Sequence, residues 1–136
     1  MTTVLIVEDE AITALDLKLN LEDLGYEIIG VVDTGEEAVD MAAEKCPDIT
    51  IMDIRLKGKI SGIEASKQIM ELDLPVIYLT ANTDDVTFDE ALANSPNYAF
   101  IGKPFDKVLL EHNIECAINR SNIENEKLNL AYGFLK

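Results

Sequence analysis

Positive charge is what this sequence most lacks. Eleven lysines and arginines stand against 26 aspartates and glutamates, a formal net charge of −15. A surface of that sign repels phosphate backbones, so direct nucleic-acid binding by this segment is not expected. Cysteine is scarce too. The two that occur, Cys46 and Cys116, are far apart and read as lying near no second cysteine and no histidine, so no metal motif is expected of them. The single histidine, His112, reads as a surface residue rather than a phosphoryl carrier. No apolar run approaches the roughly 20 residues that a membrane-spanning helix needs. The opening Met1-Thr2-Thr3-Val4 has neither a basic region nor a long apolar one, so no signal peptide is expected. The expected location is the cytoplasm, with no membrane contact and both thiols reduced.

What is present is an apolar content of 48% in 136 residues, enough for one domain with a real core. Short apolar runs at residues 4–7, 26–32, 48–53, 76–79 and 98–101 read as strands, continuous rather than alternating, as buried parallel strands are. Helical spacing recurs between them. Ile12, Leu15 and Leu19, flanked by Leu17, Leu21 and Leu24, predict a helix from Ala11 to Leu24, stopped by Gly25. Thr34 is a candidate cap for a helix over 35–45, with Ala38, Val39, Ala42 and Ala43 as its apolar face. Gly62 opens a helix to about Glu71 with Ile63, Ala65, Ser66, Ile69 and Met70 inward. A weaker pattern covers 82–94, a turn follows at 95–97, and a last helix runs from about Asp106 to Arg120. Five strand–helix alternations with short connections predict an α/β fold with a parallel sheet, right-handed crossovers and helices on both faces. Residues 121–136 fall outside the alternation and read as a helical extension, a linker, or both.

Several of the predicted strands end in polar groups. Glu8, Asp9 and Glu10 follow the first, Asp53 closes the third, Thr80 follows the fourth and Lys103 the fifth. In a parallel sheet these ends share one edge, where ligands bind in open α/β folds, and the first and third strands are neighbours if the order reverses beside the first. Glu8, Asp9 and Asp53 then crowd one pocket. Like charges that close either raise a pKa or take a cation, and an all-oxygen, highly charged donor set suits Mg²⁺. A carboxylate beside that ion, with a hydroxyl and a lysine, makes a phosphoryl-transfer site. Asp53 is the in-line nucleophile, Lys103 neutralises the phosphoryl oxygens, and Thr80 donates to one of them. Because Pro104 follows, Lys103 is held extended.

The motifs Val7-Glu8-Asp9-Glu10, Met52-Asp53-Ile54, Leu79-Thr80-Ala81 and Gly102-Lys103-Pro104-Phe105 resemble the receiver domain of two-component response regulators over residues 3 to about 120. The resemblance implies a flavodoxin-like five-stranded sheet of order 2-1-3-4-5. It implies a receiver domain over 1–120 and Asp53 as phosphoacceptor. Asp9 becomes a direct Mg²⁺ ligand, Glu8 a ligand through water, and the Arg55 carbonyl the third protein ligand. Thr80 and Phe100 become the switch pair. It implies a sensor histidine kinase or phosphotransfer protein as partner. It also implies a homodimer through the fourth predicted helix, fifth strand and last helix, the surface that phosphorylation alters.

The chain departs from the family pattern in its loop Arg55-Leu56-Lys57-Gly58-Lys59, in Ser61 where an aspartate is usual, and in Phe100 where a tyrosine is usual. Two other readings compete. A phosphohydrolase with an aspartate nucleophile needs a general acid two residues on, and Arg55 cannot serve. A non-phosphorylated interaction module of the same fold is the remaining alternative, against which the acid pair, Thr80 and Lys103 argue.

Overall fold

The structure, a computed structural model, describes residues 1–80, 100–103 and 105–134, with side chains as far as residue 124. Its elements run β1 (Thr3–Val7), α1 (Ala11–Asp23), β2 (Glu27–Val32), α2 (Gly35–Lys45), β3 (Ile49–Asp53), α3 (Gly62–Met70), β4 (Val76–Thr80), β5 (Phe100–Gly102) and α4 (Lys107–Phe134). The strands form one five-stranded sheet in the order β2-β1-β3-β4-β5, every neighbouring pair parallel. The helix expected over 82–94 and the turn at 95–97 lie outside the described residues.

Strand side chains alternate between faces, and each face is covered by its own helices. Val4, Ile6, Ile49, Ile51, Ile77 and Leu79 pack against α1 and α4. Leu5, Val7, Met52 and Val76 pack against Ala38 and Ala42 of α2 and Ala65 and Ile69 of α3. This is why the strands read as unbroken apolar runs: both sides are dry.

The helix starts follow their caps. Thr34 accepts a hydrogen bond from Glu37 N (3.3 Å) and Ser61 from Glu64 N (3.1 Å), each satisfying an amide that has no partner within its helix. Asp106 Oδ1 accepts from Val108 N and Leu109 N at the start of α4. After α1, Gly25 adopts φ +94°, a conformation costly to any residue with a Cβ.

Three expectations are corrected. Ile12, Leu15 and Leu19 do not form the buried stripe of α1: they are 86%, 56% and 57% exposed, and Ala14, Leu17 and Leu21 face the core instead. On α2, Ala43 is exposed. Residues 121–136 read as open between a helical extension and a linker, and the last helix does run on past Arg120 to Phe134, with no proline or glycine before Gly133. Cys116 is not remote from histidine: four residues apart on one helix, its sulfur lies 3.6 Å from His112 Nε2. His112 is exposed as expected, and both cysteines are free.

Candidate functional site

Strand register brings the polar ends together. Val7 pairs with Met52, so the next residues, Glu8 and Asp53, emerge side by side from adjacent strands. Asp53 pairs with Leu79, and Thr80 with Gly102, so Thr80 and Lys103 leave the same edge one and two strands away. The two strand ends are also tied through the backbone, since Lys103 N donates to Thr80 O at 2.9 Å.

The lysine is the hub. Its Nζ lies 3.0 Å from Glu8 Oε2, 3.1 Å from Asp53 Oδ2 and 3.6 Å from Glu10 Oε1. Burial pulls the Lys103 pKa down, but the Glu8 and Asp53 carboxylates outweigh it and the net shift is upward, so Lys103 stays charged. Asp53 is buried, its second oxygen accepting from Arg55 N at 3.0 Å. Glu8 is also buried, and burial pushes its carboxyl up to about 7, helped by the charge of Asp53 and opposed by Lys103.

Among the described residues, one trio of carboxylates converges closely enough for a metal: Glu8, Glu10 and Asp53 each offer an oxygen within 4.8 Å of the others. Asp9, expected as the direct ligand, is not in that group. Half-buried, it lines a neighbouring pocket with Glu8, Leu15, Lys18, Asp33 and Glu37. Glu10, at the start of α1, reaches the site that Asp9 does not. Oxygen ligands, high charge and partial burial are the donor set of a hard divalent ion, and Mg²⁺ fits it. Glu8 Oε2 adds to the fit: it is buried and, despite its ion pair, no donor meets it in hydrogen-bond geometry.

The other expected site residues are placed as follows. Thr80 is the last residue of β4 and buried. Arg55 opens the loop after β3 with its side chain exposed. That loop is held from α2 by Glu36, whose Oε1 accepts from Ile60 N at 2.8 Å, and by a bridge between Thr34 and Lys57. Phe100 is half-buried on the α3 face of the sheet, stacked on Tyr78 with ring centroids 5.3 Å apart.

Solved receiver domains share this architecture. The receiver domain of a modulated diguanylate cyclase from Desulfovibrio desulfuricans is 38% identical, covering 91% of this chain and 98% of its own, with a TM-score of 0.85. The receiver domain of a sensor histidine kinase from Pseudomonas aeruginosa, with a magnesium ion coordinated in its active-site cleft, is 28% identical over 87% of this chain and 98% of its own, TM-score 0.78. Among curated relatives, the transcriptional regulatory protein PdtaR of Mycobacterium tuberculosis is 36% identical over 118 residues, 86% of this chain and 57% of that protein. The chain spans about half the length of the curated relatives it matches. With the acids, threonine and lysine gathered at one sheet edge and the family model of the response regulator receiver domain matching residues 4–115, the chain belongs to the receiver family.

Proposed function

We propose that the protein is a phosphoacceptor switch of a two-component or phosphorelay system, taking a phosphoryl group from a histidine kinase or phosphotransfer protein onto Asp53. The observation that carries this reading is the Lys103 ammonium 3.1 Å from a buried Asp53 carboxylate that lies beside Glu8. An Asp53 oxygen attacks phosphorus in line and forms an acyl phosphate. The phosphorus–nitrogen bond to the donor imidazole breaks, and the imidazole leaves with a proton. Lys103 neutralises one phosphoryl oxygen and the Thr80 hydroxyl donates to another. Glu8, Asp9, Asp53 and the Arg55 carbonyl would hold Mg²⁺. When bound, the ion supplies neutralisation of the charge shared by Asp53 and the incoming phosphoryl group. Arg55 cannot serve as the general acid an efficient hydrolase would want two residues after Asp53, so the acyl phosphate persists. The protein therefore acts as a self-phosphorylating signal carrier in the cytoplasm rather than a turnover enzyme.

Phosphorylation draws Thr80 inward, shifts Phe100 and alters the surface of β5 and α4, where a second copy docks. The exposed apolar stripe Ile12, Leu15 and Leu19 on α1, which begins one residue beyond the acid cluster, suits a seat for the donor protein. The test is phosphoryl incorporation from a small acyl phosphate with Mg²⁺. Wild type takes one equivalent and loses it slowly, and chelation or Asp53→Asn abolishes it. Labelling of Asp53→Asn at the wild-type rate would overturn the assignment.

A further inference from the structure

Helix α3 touches the acceptor strand at its first residue and the aromatic pair one turn on. At its first residue, a Cβ on Gly62 would lie 2.2 Å from the Asp53 carbonyl oxygen and 2.8 Å from that of Ile54, so the helix rests directly on the backbone that carries the acceptor. One turn on, Ser66 is fully buried and donates its hydroxyl proton to Ile63 O at 2.7 Å. The same Ser66 oxygen is in hydrogen-bond contact with the Tyr78 hydroxyl. Serine has one proton to give, and it goes to Ile63, so Tyr78 is the donor. Tyr78 is wholly buried on β4, two residues before Thr80, and its ring stacks on Phe100. Ile54, Ile63 and Tyr78 form a small cluster of their own, with Phe100 against it and apart from the two main cores.

We propose that Tyr78 is a positioning residue of the switch, coupling Phe100 to α3 through Ser66, so that the state of Asp53 is read out on the α3 face as well as at β5. Resting on the phosphoacceptor reading, this adds a second route for the signal. The residue at position 100 has no hydroxyl to anchor it in either state. Tyr78 supplies one from the neighbouring strand and fixes it to a helix rather than to solvent. A buried hydroxyl loses its partner only at a cost, so α3 and the stacked rings move together rather than separately. The element has two contacts one turn apart: the acceptor backbone bears on Gly62, and the Thr80 strand bears on Ser66 through Tyr78.

The experiment is backbone hydrogen exchange, read by peptide over residues 62–70 and over β5, with and without beryllofluoride and Mg²⁺. Wild type should change exchange in both segments. In Tyr78→Phe, which keeps the ring, and independently in Ser66→Ala, the β5 response should remain. The response over 62–70 should fall at least threefold, while beryllofluoride still binds as judged by ¹⁹F NMR and the fold is intact by cooperative urea melting. An α3 response of wild-type size in both variants would overturn the coupling, as would a wild type whose β5 responds and whose α3 does not. Absence of any beryllofluoride signal in wild type would sink the phosphoacceptor reading itself, and this inference with it.

Discussion

Burying Glu8 beside Asp53 makes its charge state the control on what the acidic pocket can hold. Its carboxyl is raised from the ordinary 4.5 to about 7, so the folded state favours the protonated form. The stability this group contributes is whole below pH 4.5 and is lost as pH rises through 7. A metal needs the ionised form, so its dependence runs the other way. Mg²⁺ affinity, measured by calorimetric titration, should climb as pH rises toward about 7 and level off above it; constant affinity across that window would mean Glu8 is no ligand. Asp9 and Glu10 are separable by the same titration. Asp9→Asn should weaken Mg²⁺ binding more than Glu10→Gln, because Glu10 is exposed and solvent screens it. The reverse order would make Glu10 the ligand. Sequence could not choose between them. Three consecutive acids follow β1, and which one points inward depends on how the chain leaves the strand, with Glu10 at φ −87° and ψ 111°.

Single contacts hold the helices against the sheet, and these too can be measured. Gly62→Ala drives a methyl into the Asp53 carbonyl and should cost roughly 1–3 kcal/mol of stability in urea melts. Tyr26 ties the chain before β2 to α4 by donating to Glu115 Oε1 at 2.7 Å. Burial first, then the Glu115 carboxylate, raises its pKa above the usual 10. Its stabilisation is therefore whole below pH 10 and lost above it, so the advantage of wild type over Tyr26→Phe should shrink in melts at strongly alkaline pH. The elements themselves were legible wherever one pattern stood alone. The strands were plain because dry faces leave unbroken apolar runs, and the polar groups at their ends marked the site before any register was known. Thr34 capped the helix it was expected to cap. The face of α1 was not legible, because apolar residues occupy two sides of it. Only packing shows that small Ala14, with Leu17 and Leu21, fits the sheet. The pairing of Tyr78 with Ser66 left a faint signal: a tyrosine in an aliphatic strand, and a serine four residues from Gly62 on an inward face.

The charge of the whole chain acts on every state of it. A net charge of −15 on 136 residues repels itself when compact, so added monovalent salt should raise the melting temperature, most steeply below about 0.1 M where screening is still incomplete. The same repulsion opposes the proposed pairing of two copies. Sedimentation velocity should therefore show the dimer with beryllofluoride and Mg²⁺ at moderate salt, and a shift toward monomer as salt is lowered; a single monomeric species throughout would remove the dimer. One dimension stands out against this small domain. Among the side chains described, the last buried one on α4 is Ala117, with Ile118 packed against the core beside it, and the helix runs on to Phe134. At about 1.5 Å per residue the stretch from Ala117 to Phe134 is some 25 Å long. A rod fixed at one end converts rotation into displacement, so a tilt of about 10° at Ala117 carries the far end by roughly 4 Å, given that length. In a helix held only at its receiver end, a repacking too small to notice at β5 would become a movement of a side chain's width at the tip, with the receiver body as fulcrum and α4 as lever.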